Sequence, residues 1–165
     1  MDPALFEVII NNDPLRISLV TQWLAKLGDH EASVQLSNMC CDAEYRIRVC
    51  AMIVAGRHYK SFVRDFGVSL LSDSIAIVRW VACEAIMLAN CRSATGELAK
   101  LILYDEEAKV RNIAAIAIGV LGSNTDVPAL RLALSTEAGH DHEGRSIREV
   151  INSSIAQIKE RESSP

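Results

Sequence analysis

The sequence predicts an all-α fold, an α-α superhelix (solenoid) of about four to five two-helix repeats in one domain spanning 1–165. Half of the residues are apolar but only 5% are aromatic, so most apolar side chains are the small ones that suit close packing of helices. The 4 prolines and 8 glycines supply too few turns for a β-sandwich. A repeated motif is the third indication.

The motif is an aliphatic residue followed by arginine, and it recurs at a nearly constant step. Its three central copies place arginines 31 and 32 residues apart, each with an aspartate six residues earlier: Arg48 with Asp42, Arg79 with Asp73, and Arg111 with Asp105. Arg16 and Arg148 extend the series outward at steps of 32 and 37. The motif predicts repeats at about 12–41, 42–72, 73–104 and 105–135.

Each repeat is predicted to contain two helices. The first helices are expected at 13–27, 43–57, 75–90 and 106–121, where apolar residues recur at steps of three and four. The second helices are expected at 31–41, 60–71, 94–104 and 126–134, with a leading helix at 3–11 and a closing helix at 145–161. In the fourth repeat, Gly122 is predicted to end the first helix in a left-handed conformation, and Asp126 and Pro128 to begin the second.

The fourth repeat resembles a HEAT repeat. The resemblance is carried by Asp105-Glu106-Glu107-Ala108-Lys109-Val110-Arg111, Val120-Leu121-Gly122 and Asp126-Val127-Pro128-Ala129-Leu130. These segments are most similar to the short bacterial repeats also found in phycobilisome lyases, and the similarity covers nearly the whole chain. It is weaker in the second repeat, where Gly56 follows Arg48 by eight residues, whereas Gly122 follows Arg111 by eleven. The tetratricopeptide pattern is absent.

The resemblance implies roles for two sets of residues. The aspartates and arginines of the motif would be structural, with the aspartate capping the first helix and the arginine bonded to neighbouring loops or acids. The second helices would line a concave face, whose polar positions form the expected binding surface: Arg64, Asp65, Glu97, Lys100 and Arg131.

Acidic residues are concentrated in the links between repeats. These acids are Asp42, Glu44, Asp73, Asp105, Glu106, Glu107, Glu137, Asp141 and Glu143, and only Arg46, Lys109 and Arg145 offset them. Because a solenoid stacks equivalent links along one edge, they are expected to form an acidic edge. Two interpretations stay open: favourable charge at helix N-termini, or a surface that attracts a basic partner.

Three further features have competing interpretations. Trp80 aligns with Asn112, a polar position, so Trp80 is a candidate partly exposed anchor, whereas Trp23 is assigned to the core. The loop 136–144 contains two histidines, but it offers no frame for a metal site, and a contact or mobile loop is the favoured interpretation. The five cysteines are expected to be reduced residues of the core.

The composition argues against several classes of function. The net charge of −4 lowers the expectation of nucleic-acid binding. The chain has no apolar run long enough to span a bilayer and no signal-peptide pattern, so a cytoplasmic location without membrane association is expected. Catalytic motifs are absent, and neither a cofactor nor a metal is expected.

We therefore expect a non-enzymatic protein-binding module, an adaptor or inhibitor, whose partner has a basic surface. Small acidic solenoids also resemble some bacterial immunity proteins, which neutralise toxin nucleases by covering them. Two alternatives follow from the resemblance alone: a bilin lyase-like subunit, which would need an apolar groove, and a HEAT-like DNA glycosylase, which would need a basic groove with aromatic residues.

Overall fold

The computed structural model describes residues 14–140, 144 and 146–163, with side chains from residue 17 onward. This part of the chain is helical, with helix packed on helix, which confirms the all-α prediction. Its α-helices are α1 (Pro14–Leu24), α2 (Asp29–Cys40), α3 (Tyr45–His58), α4 (Lys60–Phe66), α5 (Ala76–Leu88), α6 (Thr95–Tyr104), α7 (Ala108–Leu121), α8 (Val127–Thr136) and α9 (Ile147–Ser163). The leading helix expected at 3–11 and the side chain of Arg16 lie outside the described residues.

The observed helices follow the predicted ones closely, except at the second helix of the second repeat. The sequence predicts one helix over 60–71, whereas α4 ends at Phe66 and a 3₁₀ helix, Gly67–Ser72, follows it. A shorter 3₁₀ helix, Arg92–Ala94, precedes α6. Gly67 is buried, and a Cβ atom there would lie 2.9 Å from Cγ1 of Val63. The helical winding therefore changes at a residue that has no side chain.

Contacts group the chain into two compact units, Met1–Ala89 and Asn90–Pro165. In the first unit, α3 packs against α1, α2, α4 and α5. The first helix of one repeat therefore lies against the first helix of the next, and the second helices pack beside them. The largest fully buried side chains of this unit are Leu24, Leu36, Met39, Ile47, Met52 and Ile86.

The second unit has the same local pattern. Helix α7 packs against α6 and α9, and α8 also packs against α6 and α9. The closing helix α9 therefore takes the position of a first helix beside α7, in line with the arginine motif at Arg148. The largest fully buried side chains here are Leu98, Ile102, Ile118, Leu121 and Leu130.

Glycines allow the first helices to approach closely. A Cβ atom on Gly56 of α3 would lie 2.8 Å from Cα of Ala85 on α5, and one on Gly119 of α7 would lie 2.9 Å from Cβ of Ser154 on α9. The Ser154 hydroxyl donates a 2.8 Å hydrogen bond to the carbonyl of Ala115. Both glycines follow the motif arginine by eight residues, so Gly56 corresponds to Gly119 rather than to Gly122. The second repeat is therefore regular at this position, and the correspondence of Gly56 to Gly122 is corrected.

Helix α7 ends differently from the prediction. Gly122 is extended, with φ −71° and ψ 174°, and is not left-handed. Its N–H donates to Ile118, and a Cβ atom would lie 2.6 Å from that same carbonyl oxygen. Arg161 of α9 donates to the carbonyls of Gly119 and Val120 at 3.1 Å each, and also to that of Gly122. A side chain from another helix therefore satisfies the last carbonyls of α7.

Candidate functional site

The arginine ladder, defined here as Arg48, Arg79 and Arg111, repeats one hydrogen-bond pattern. In each copy Nη1 donates to the main-chain carbonyls six and five residues earlier. The distances are 2.8 and 3.1 Å for Arg48, 2.8 and 3.3 Å for Arg79, and 2.9 and 3.0 Å for Arg111. Each arginine thus ties its own first helix to the segment that leads into it.

Arg48 and Arg111 each also bind a carboxylate that lies 25 or 26 residues further along the chain. Arg48 makes a two-point contact with Asp73, with Nε–Oδ2 at 2.7 Å and Nη2–Oδ1 at 2.9 Å. Arg111 binds Glu137 in the same way, with Nε–Oε2 at 2.6 Å and Nη2–Oε1 at 3.1 Å. These are the planar, bidentate contacts for which a guanidinium is suited. The geometry assigns the ladder to the framework.

The carboxylates of the motif aspartates bind within the turn that precedes each first helix, not at the helix N-cap. The Oδ1 atoms of Asp42, Asp73 and Asp105 accept hydrogen bonds of 2.9, 2.9 and 3.0 Å from the N–H two residues later. The helix N-caps themselves are Glu44, Ile75 and Glu107. Each aspartate therefore closes an Asx turn that leads into the helix, and the prediction that it is the cap residue is wrong.

Asp126, unlike the motif aspartates, occupies the N-cap position of its helix, α8, as predicted. Its carboxylate nevertheless makes no capping hydrogen bond to that helix. Its Oδ2 atom accepts from the N–H of Ser123 at 2.8 Å, within the preceding turn.

Glu137 does not belong to an exposed acidic edge. It is 8% exposed, its carboxylate is held by Arg111, and Oε1 also accepts from the N–H of Gly139 at 2.6 Å. The Arg111 hydrogen bonds lower the pKa of Glu137, against the opposing effect of burial. Its own carbonyl accepts from Arg148 at 3.2 Å. The assignment of Glu137 to a partner-facing edge is therefore corrected: the residue joins α7, the following loop and α9.

The remaining acids of the predicted edge divide by exposure. Glu106 and Glu107 are exposed, whereas Asp42, Glu44 and Asp105 are half-buried. Asp73 is also half-buried; burial raises its pKa, but the hydrogen bonds from Arg48 and from the N–H of Ile75 outweigh this and hold it below the usual range. Asp141 and Glu143 lie outside the described residues. Among the acids of the predicted edge that the structure describes, Glu106 and Glu107 of the second unit are therefore the exposed ones.

The residues predicted on the second helices keep solvent access. Arg64 and Asp65 are exposed on α4, and Nη1 of Arg64 also reaches the carbonyl of Ala89 at 3.5 Å. On α6, Lys100 and Glu97 form an exposed ion pair with Nζ–Oε1 at 2.7 Å. Arg131 is exposed on α8.

The most exposed large apolar side chain of the described residues is one that the sequence interpretation missed. Tyr104, the last residue of α6, is 78% exposed, and Leu132 on α8 is 54% exposed. Trp80 and Trp23 are both only partly buried, which differs from the core position that the sequence predicts for Trp23. Asn112, the position aligned with Trp80, is 7% exposed, so that alignment gives no support for an exposed tryptophan.

The cysteines do not all belong to the core. Cys40, Cys50, Cys83 and Cys91 are buried, whereas Cys41 is exposed, which corrects the prediction for that residue. Burial, reinforced by Cys41, raises the pKa of the Cys40 thiol to about 12, and burial raises that of Cys50 to about 11. Both thiols are therefore held in the protonated, unreactive form at neutral pH.

Residues 14–140, 144 and 146–163 contain no candidate metal site and no candidate membrane span. No three His, Cys, Asp or Glu side chains of these residues are grouped closely enough to hold a metal ion. His140 is exposed and pairs with Ser146 in an isolated bridge, while His142 lies outside these residues. None of their helices has the length and apolar character needed to cross a bilayer.

No protein-family model matches the sequence, and no curated protein shows significant similarity to it.

Proposed function

We propose that this chain is a protein-binding module without chemistry of its own, built as a HEAT-like solenoid and directed at a partner with a basic surface. It acts in the cytoplasm as an adaptor or inhibitor. A bacterial immunity protein that covers a toxin nuclease is the specific form we favour, because a nuclease presents the basic surface that binds nucleic acid.

The solenoid part of the proposal is supported by repeated local geometry. Within each unit, first helices pack on first helices, and the ladder arginines make the same carbonyl contacts at intervals of 31 and 32 residues. Gly56 and Gly119, at equivalent positions, both form close helix contacts. Such equivalence is expected when each repeat contacts its neighbours through one recurring interface.

The observation that carries the binding proposal is the exposure of Tyr104. A tyrosine ring that is 78% exposed gains free energy when a partner covers it, and tyrosine is enriched among the residues that dominate protein interfaces. Lys100 lies one turn earlier on the same face of α6, and Arg131 and Leu132 are exposed on α8. Helices α6 and α8 pack together, so they present these side chains within one unit.

Charge supports a basic partner. The exposed carboxylates Glu106 and Glu107 follow Tyr104 by two and three residues, and the chain carries a net charge of −4. Rim charges of this kind act mainly on the association rate, which makes the proposal measurable. The ladder carboxylates Asp73 and Glu137 contribute less to this field, because each is neutralised by an arginine.

The test is capture of a partner from the native host with matched variants. Wild-type protein, Tyr104→Ala, and the double variant Glu106→Lys with Glu107→Lys are immobilised, with Val34→Ala, an exposed residue on α2, as the control. We expect one basic protein to be retained by the wild type and the control and lost from Tyr104→Ala. With the purified partner, charge reversal should lower the association rate at low salt and have little effect at high salt. Equal retention by Tyr104→Ala, or the absence of a basic partner, would contradict the proposal.

A further inference from the structure

A groove of about 350 Å³ lies between α7 and α9 in the second unit. This volume falls at the lower end of the range of about 300–1,000 Å³ in which most small-molecule pockets fall, so the groove can hold one long side chain. It is separate from the exposed side chains of α6 and α8. Its wall consists of one residue of α7 and five of α9: Ile116, Glu149, Val150, Ser153, Ser154 and Gln157.

The wall is apolar at its base and polar at its rim. Ile116 and Val150 are half-buried, whereas Glu149, Ser153 and Gln157 are exposed along one side of α9. The three exposed residues follow one another at steps of four, which places them about 6 Å apart along the helix axis. A long side chain that lies along α9 can therefore contact aliphatic carbons with its stem and polar atoms at both ends.

The charge of the groove favours a cation at one end. Glu149 is the one charged side chain of the wall, and the structure shows no cation paired with it among the described residues. Arg148, its neighbour in the chain, donates instead to the carbonyls of Leu134 and Glu137. Arg161, one turn beyond the opposite end of the groove, donates to the last carbonyls of α7. An incoming cation is therefore attracted to the end formed by Glu149.

Gln157 forms the opposite end of the groove. A Cβ atom on Gly119 would lie 3.0 Å from Oε1 of Gln157, so this side chain reaches across to α7. Its amide can both donate and accept hydrogen bonds, as a peptide group does. The end at Gln157 therefore suits an uncharged main-chain group.

The chemistry of the wall matches lysine better than arginine. An ammonium has three N–H donors, and the Glu149 carboxylate and the Ser153 hydroxyl, one turn apart, can both accept from it. The four-carbon stem of lysine can pack on Ile116 and Val150 while its charge stays at the rim. The six wall residues include no aromatic ring on which a guanidinium could stack.

We propose that this groove receives a lysine side chain from the basic surface of the partner protein, with its ammonium at Glu149 and its main chain at Gln157. The inference rests on the proposed function for the source of the lysine, but the groove itself can be tested without any partner. It deepens that function by naming a contact on α7 and α9, in addition to the one at Tyr104.

The experiment is an NMR titration of the ¹⁵N-labelled chain with N-acetyl-lysine N-methylamide. The control probe is the Nε-acetylated form, which keeps the stem and removes the charge. We expect saturable shifts at the amides of Glu149, Val150, Ser153 and Gln157, with a dissociation constant in the millimolar range. The corresponding arginine probe, N-acetyl-arginine N-methylamide, should bind more weakly.

Two variants separate a local contact from the general field of the protein. Glu149→Gln should weaken binding of the lysine probe about two- to fivefold, the amount expected for an exposed ion pair. Glu107→Gln removes the same charge outside the groove and should bind as the wild type does. Both positions are exposed, so the variants are expected to fold, and their amide spectra report this directly.

Four results would overturn the inference: no saturable shift up to the solubility limit of the lysine probe, equal binding of the acetylated probe, equal binding of the arginine probe, or a loss for Glu149→Gln no larger than for Glu107→Gln. With a captured partner, Glu149→Gln should weaken that complex as well, and an unchanged affinity would also overturn the inference. Lysine binding without any captured partner would contradict the proposed function and leave the groove site intact. A captured partner without binding of the lysine probe would contradict the groove site alone.

Discussion

Replacing Glu137 by glutamine tests whether the ladder stabilises the fold. The Glu137 side chain is 5% exposed and that of Arg111 is 19% exposed, so the substitution leaves a guanidinium with little access to water and without its counter-charge. Removing one partner of a buried ion pair costs about 3–5 kcal/mol. Because Arg111 keeps some solvent and its two carbonyl contacts at 2.9 and 3.0 Å, we expect the lower end of that range, about 3 kcal/mol.

Urea unfolding followed by circular dichroism measures this loss. For a chain of this size, about 3 kcal/mol corresponds to a fall in Tm of roughly 6–12 °C. The matched control is Lys100→Gln, which breaks an exposed ion pair and should cost about 0.5 kcal/mol or less. A double-mutant cycle with Arg111→Met isolates the pair itself, because the carbonyl contacts cancel. A loss below about 1 kcal/mol, or a coupling energy near zero, would refute the structural role.

Three further outcomes follow from the same contacts. Gly119→Val should lower the free energy of unfolding by more than about 1 kcal/mol in urea titrations, because its Cβ would lie 2.9 Å from Cβ of Ser154; wild-type stability would show that α7 and α9 do not approach so closely. The pKa of Glu137 is lowered on folding, so its stabilisation is complete above the ordinary carboxyl range and is lost as pH falls through the lowered value. Unfolding from about pH 5 downward should therefore be steeper for wild type than for Glu137→Gln, and identical slopes would contradict this. A maleimide should label Cys41 in the native protein but label Cys40 only after denaturation, as mass spectrometry would show; rapid native labelling of Cys40 would contradict its burial.

Helix positions were predictable from sequence because local spacing determines them. Apolar residues at steps of three and four predicted a first helix at 43–57, and α3 runs Tyr45–His58. The break at Gly67 was not predictable in the same way, because the spacing of apolar residues continues through 60–71 and only the structure shows Gly67 packed tightly against Val63. Gly56 and Gly119 could have been recognised, because both follow a motif arginine by eight residues.

Of the acids that bind Arg48 and Arg111, the sequence motif contains one and misses the other. Asp73 belongs to the motif and lies 25 residues after Arg48, whereas Glu137 lies 26 residues after Arg111 and outside the motif. The two distances along the chain differ by one residue, and both acids reach the same atoms of their arginines. A search for any carboxylate at that interval, rather than for aspartate in the motif, would have found the pair.

Pairing within the ladder also limits which acids can attract a partner. A carboxylate in contact with a guanidinium presents little net charge to solvent, so Asp73 and Glu137 add little to the long-range field. Counting nine acids along one edge therefore overstates its charge. In the second unit, Glu106 and Glu107 are exposed, and they follow an exposed tyrosine in the chain. The proposed specificity consequently depends on a small patch around Tyr104, and substitutions there should affect binding while substitutions in the ladder should affect folding.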